Sequence, residues 1–102
     1  MTINRRLPSI QPYALPVEGE WPASRADWTL EPGRAALLIH DMQRYFVDAF
    51  TPDADPVPGL VANIAALAAA ARAAGLPVFY TAQHGDQDRR DRGLQADLWG
   101  PC

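Results

Sequence analysis

Two polar side chains stand where short apolar runs stop. Asp41 follows Ala35-Ala36-Leu37-Leu38-Ile39 with His40 between, and Gln83 follows Val78-Phe79-Tyr80-Thr81 with Ala82 between. Beyond them Arg89, Arg90 and Arg92 lie among Asp86, Asp88, Asp91 and Asp97. A carboxyl can give or take a proton, a carboxamide hydrogen-bonds in both directions, and a guanidinium donates to anions. Gathered at one crevice, these types would suit a small polar molecule. Each also has an ordinary use. An Asp after a strand is often a turn residue, Gln83 could cap a loop, and an Arg in a charged run is usually a solvated surface charge. His40 and His84 are expected to be structural or exposed. Cys102 is the only cysteine, and no base is placed to make it a nucleophile.

The elements that must position these groups follow from the apolar pattern. Residues 35–39 form a continuous apolar run without alternation, as expected of a strand buried on both faces. Residues 42–56 are predicted to be turn and loop. A helix is predicted over residues 58–74. Pro58 suits its first turn, and Leu60, Ile64, Leu67 and Ala71 space one buried face with Val61 and Ala68 flanking it. Gly75 is expected at C′, and Pro77 prevents continuation. Residues 78–81 make a second short strand, and residues 82–102 a polar loop. Strand, helix, strand is one βαβ unit with parallel strands. In an open α/β sheet, ligands bind beyond the carboxyl ends of the strands, so Asp41, Gln83 and the arginine-bearing loop are expected at one edge. Residues 1–34 form an arm whose prolines at 8, 12, 16 and 22 exclude a helix. Its spaced aromatics, Tyr13, Trp21 and Trp28, are expected to pack over something apolar.

Bulk properties remove several classes. With 102 residues, 48% apolar and a net charge of -3, the chain resembles at most one small globular domain without a basic surface for nucleic acid. Neither a secretory signal nor an apolar run long enough to span a bilayer is found, so no membrane partner and a cytoplasmic location are expected. No Gly-rich phosphate loop, metal-ligand spacing or Gly-x-Ser-x-Gly elbow is present. One βαβ unit is not a complete parallel-sheet domain. More strands and helices are expected after residue 102.

In order along the chain, several segments resemble the isochorismatase family. His40-Asp41-Met42-Gln43 followed by Tyr45-Phe46 looks like the first-strand signature of those enzymes, and Thr81-Ala82-Gln83 the end of the second strand. Asp91-Arg92-Gly93-Leu94 and Asp97-Leu98-Trp99-Gly100-Pro101 resemble the following loop. The arm is similar too, through Gln11-Pro12-Tyr13, Leu15-Pro16, and Trp28 ahead of Glu31-Pro32. The likeness covers nearly the whole chain. It is strongest to the enzymes of catechol-siderophore synthesis and their phenazine-pathway relatives.

The resemblance implies a Rossmann-like α/β fold, represented here by the arm (1–34) and the first part of an incomplete hydrolase domain (35–102). It implies hydrolysis of the vinyl ether of isochorismate, or of its 2-amino analogue, to pyruvate and a dihydrodiol-type benzoate. It assigns Asp41 as general acid, Gln83 and Arg92 as holding the substrate's polar groups, and Phe46 as lining the pocket. It implies no metal and no cofactor. Protonating carbon is slow, so the acid must hold its proton at working pH, and an apolar crevice favours the neutral carboxyl. A planar guanidinium binds a carboxylate bidentately. A homo-oligomer, and a carrier-protein domain elsewhere in the parent protein, are left open.

The chain departs from the family pattern in places. His84 stands where proline is common, and Cys102 where glycine is expected. All nine basic side chains are arginine, so the family's active-site lysine is absent from these residues. The chain by itself is therefore expected to be an inactive fragment. Two alternatives stay open: an amidase of the same superfamily, which uses a cysteine, and a non-catalytic remnant or interaction module. Gln83 and His84, without an Asp-x-His pattern, favour the vinyl-ether branch over the amidases.

Overall fold

The computed structural model describes residues 7–85 together with Arg90 and Gln95. Strand β1 (Leu37–Ile39) is followed by a one-turn helix α1 (Arg44–Val47), a long helix α2 (Val57–Ala73) and strand β2 (Val78–Tyr80). The two strands pair in parallel, Leu37 opposite Val78 and Ile39 opposite Tyr80. This is the expected βαβ unit, an α/β arrangement. Both strands are shorter than predicted. Leu37 donates to the Pro77 carbonyl at 2.9 Å, but Pro77 has no N–H to return, so the ladder cannot extend back to Ala35 and Ala36.

Helix α2 ends as its sequence dictates. Gly75 lies at φ +77, the left-handed conformation that glycine adopts without a Cβ penalty. Leu76 N–H reaches the Ala71 carbonyl at 2.8 Å and Gly75 N–H the Arg72 carbonyl at 3.1 Å. These paired bonds form a Schellman ending. The helix starts one residue before the predicted position, with Pro58 in its first turn.

The buried face of α2 is narrower than its apolar spacing predicts. Ala68 and Ala71 are buried with Ile39 of β1, while Leu60 and Ile64 are half-buried. Leu67 is exposed at 56% and Val61 at 51%. The reason is the sheet's width. Two strands cover only a strip of the helix, and Leu67 overhangs a cleft of about 250 Å³ at β1, shared with Leu37, Leu38, Ile39, Met42, Leu60 and Ile64. Nor is the sheet buried on both faces. Helix α2 covers one side, and Leu38 and Phe79 are exposed at 56% and 55%.

The segment predicted as irregular between β1 and α2 holds α1 as its one regular turn, and the arm is docked against it. Ile10 N–H bonds the Ala49 carbonyl at 2.7 Å, and Tyr13 N–H the Asp55 carbonyl at 3.2 Å. The Tyr13 and Phe50 rings lie 6.3 Å apart. Leu15 reaches α2, where its Cδ1 would stand 3.0 Å from a Cβ on Gly59. The arm is not wholly extended, since Glu18–Glu20 and Pro32–Arg34 form single 3-10 turns. Proline fits the start of such a turn because its missing N–H would have had no partner there. Of the arm's aromatics only Tyr13 packs as expected. Trp21 and Trp28 are exposed at 60% and 93%. No helix of the described residues is long and apolar enough to cross a membrane.

Candidate functional site

The ladder between the strands runs one step past their ends. Thr81 N–H bonds the Ile39 carbonyl at 3.0 Å, and Asp41 N–H bonds the Thr81 carbonyl at 3.1 Å. The parallel pairing therefore brings Asp41 and the Thr81–Gln83 segment to the same edge.

Asp41 leaves β1 with φ +52. Side chains other than glycine rarely adopt this left-handed conformation, and Asp is among the more tolerant because its short polar group bonds locally. Here the compensation comes from Thr81. The Asp41 N–H lies 3.0 Å from Thr81 Oγ1 as well as facing the carbonyl. Thr81 Oγ1 lies 3.2 Å from Asp41 Oδ1 and 2.8 Å from His40 Nδ1. The other imidazole nitrogen, Nε2, stands 3.4 Å from Asp41 Oδ2. The carboxyl is thus bonded at Oδ1 and approached by the imidazole at Oδ2. The Asp41 side chain is 23% exposed and that of His40 70%, so the ring faces solvent while touching a half-buried acid.

Gln83 is fixed through its backbone. The Gln43 amide donates Nε2–H to the Gln83 carbonyl at 3.0 Å and accepts the Gln83 N–H at Oε1, 2.7 Å away. Gln43 in turn sits in a tight turn, its N–H bonding the Asp41 carbonyl at 2.9 Å. Phe46 is half-buried on α1, its ring edge-on to Tyr45 with centroids 5.0 Å apart. Arg92 lies outside the described residues, as do Arg89, the Asp-Leu-Trp-Gly-Pro segment and Cys102. His84 is exposed, as expected.

A carboxyl, a carboxamide-bearing loop and an aromatic turn are therefore assembled at the carboxyl end of a parallel pair. Residues 35–102, about two-thirds of the chain, match the Isochorismatase domain. The chain belongs to the isochorismatase family. Similar proteins include one named Isochorismatase from Bacillus subtilis (strain 168), 52% identical over 95 residues, which make up 93% of this chain and 30% of that protein. Enterobactin synthase component B of Escherichia coli (strain K12) is 46% identical over 95 residues, 93% of this chain and 33% of the relative. Phenazine biosynthesis protein PhzD of Pseudomonas fluorescens is 50% identical over 97 residues, 93% of this chain and 45% of the relative. The chain thus spans between about a third and just under half of the length of these family members.

Three residues of this isochorismatase-family edge carry contacts that their types alone did not announce. Thr81 belongs to the Thr-Ala-Gln segment but had no expected role. His40 is exposed, as expected, yet it also meets Asp41. Gln43 was part of the signature without an assigned contact. All three act across 40 or 41 residues of sequence. The only signal within the sequence is that polar groups cluster at both strand ends.

Proposed function

We propose that the protein to which these residues belong hydrolyses the enolpyruvyl vinyl ether of isochorismate or its 2-amino analogue, in siderophore or phenazine biosynthesis. The observation that carries this reading is the half-buried Asp41 carboxyl, gripped at the sheet edge of a chain about half identical to proteins named for isochorismatase and phenazine biosynthesis. Residues 35–102 would form part of the hydrolase domain, with residues 1–34 as an arm laid against it, in a cytoplasmic protein.

In this reading Asp41 delivers its proton to the terminal methylene carbon of the vinyl ether. The alkene electron pair forms the new C–H bond, and the ether oxygen stabilises the cation left on its neighbour. Water adds to that carbon and gives up a proton, which restores the Asp41 acid. The hemiketal hydroxyl then forms the carbonyl and gives its proton to the ring oxygen as the bond to that oxygen breaks, releasing pyruvate and the dihydrodiol. General acid catalysis of this kind is worth roughly 10²–10⁴-fold. Gln83 and Arg92 would hold the substrate's polar groups, Arg92 by pairing with a carboxylate. Phe46 would supply apolar wall beside the reacting carbon.

Pyruvate release by the natural-length protein, measured with each of the two substrates, tests the assignment. Turnover of one in clear preference to the other would name the substrate. A folded protein that releases pyruvate from neither would sink the reading. The amidase alternative would then be tested by ammonia release from simple carboxamides.

A further inference from the structure

We infer that Thr81 is the positioning residue of the acid: its hydroxyl holds the Asp41 carboxyl in one place both before and after the proton has been delivered. The inference rests on the proposed role of Asp41 and adds a residue to it.

The argument is one of hydrogen-bond bookkeeping. Thr81 Oγ1 has three neighbours: the Asp41 N–H at 3.0 Å, Asp41 Oδ1 at 3.2 Å and His40 Nδ1 at 2.8 Å. A hydroxyl has one proton to give and two lone pairs to accept with. The backbone N–H always donates. That leaves one proton to give and one to receive: His40 Nδ1–H donates to Thr81, and Thr81 donates to Asp41 Oδ1. The Thr81–Oδ1 bond serves the acid both when it is ionised and when it carries its proton on Oδ2. That proton lies on the oxygen Thr81 does not hold, so it is free to be delivered, and no heavy atom needs to move.

Geometry explains why this matters for an acid that protonates carbon. Reaction requires the proton to be aimed along the alkene's π axis, and small displacements are expensive in rate. The Asp41 backbone is in a conformation that side chains other than glycine seldom hold, φ +52, so the carboxyl needs an anchor outside its own turn. The anchor comes from the neighbouring strand, where Thr81 N–H is itself locked to Ile39. Valine has the shape of threonine without the hydroxyl, and serine has the hydroxyl without the methyl. The two substitutions therefore separate packing from hydrogen bonding.

The test is steady-state kinetics of the natural-length protein as Thr81→Val, Thr81→Ser and Asp41→Asn, with thermal melts of each. For Thr81→Val we expect kcat to fall about 10–100-fold with KM within a factor of about three, as an interaction that acts on the transition state should. Thr81→Ser should keep kcat within about threefold of the parent by preserving the hydroxyl. If Thr81→Val melts early and cannot be assayed, Thr81→Ala against Thr81→Ser gives the same comparison. Should Thr81→Val, or its alanine substitute, match the parent in kcat while Asp41→Asn is inactive, the positioning role is wrong and the acid assignment stands. An equal fall for the serine and hydroxyl-free variants would likewise overturn the positioning role. Full activity of Asp41→Asn would overturn the acid assignment, and this inference with it.

Discussion

The side-chain amide of Gln43 bonds both backbone groups of Gln83, giving Nε2–H to its carbonyl at 3.0 Å and taking its N–H at 2.7 Å. An amide paired with a peptide group in this way ties the segment after β1 to the segment after β2. It sets where the Gln83 side chain begins. The sheet edge is therefore strapped twice, by Thr81 onto Asp41 and by Gln43 onto Gln83.

Loss of the second strap should be visible as stability. Gln43→Leu removes a donor and an acceptor from part-buried backbone groups, which is expected to cost about 1–3 kcal/mol. Gln43→Glu keeps the acceptor for the shorter bond and should cost less. Denaturant titration of both variants reads the difference. An unchanged midpoint for Gln43→Leu would mean that water replaces the amide without penalty.

The backbone at Asp41 gives a prediction that separates fold from chemistry. At φ +52 asparagine is as well tolerated as aspartate, so Asp41→Asn should melt close to the parent. Asp41→Val places a β-branched side chain in that conformation and should lose roughly 1–3 kcal/mol. Comparable melting temperatures for the two variants would show that the turn relaxes instead of holding its strain.

Gly75 should behave as a purely conformational residue. A Cβ there meets nothing within 4 Å, yet φ is +77. Gly75→Ala is therefore expected to lose about 1–2 kcal/mol through the backbone alone, and Gly75→Asn less. Thermal melts of the two variants check the order.

Much of this arrangement was legible in the residues. The apolar run ending at Ile39, the alanine-rich helix closed by Gly75 and Pro77, and the second short run gave the parallel unit and the edge where Asp41 and Gln83 meet. Family membership was legible in the ordered motifs. What was not legible depends on long-range contact. Strand β1 starts late because Pro77 lacks an N–H, and two strands leave Leu67 and Leu38 uncovered, which periodicity cannot tell. The helix turn at Arg44–Val47 is four residues long, too short for an apolar stripe to reveal. The contacts of Thr81, His40 and Gln43 depend on the register between the strands, and featureless apolar runs do not encode it.

The central claim is that Asp41 is the acid, and one comparison addresses it directly. Pyruvate release from isochorismate, or from its amino analogue if that is the better substrate, is measured for the natural-length protein and for its Asp41→Asn variant. Both should be folded by the same melting criterion. The account predicts rapid release by the parent and a fall of roughly 10²–10⁴-fold in the variant. Parental rates in Asp41→Asn would contradict it.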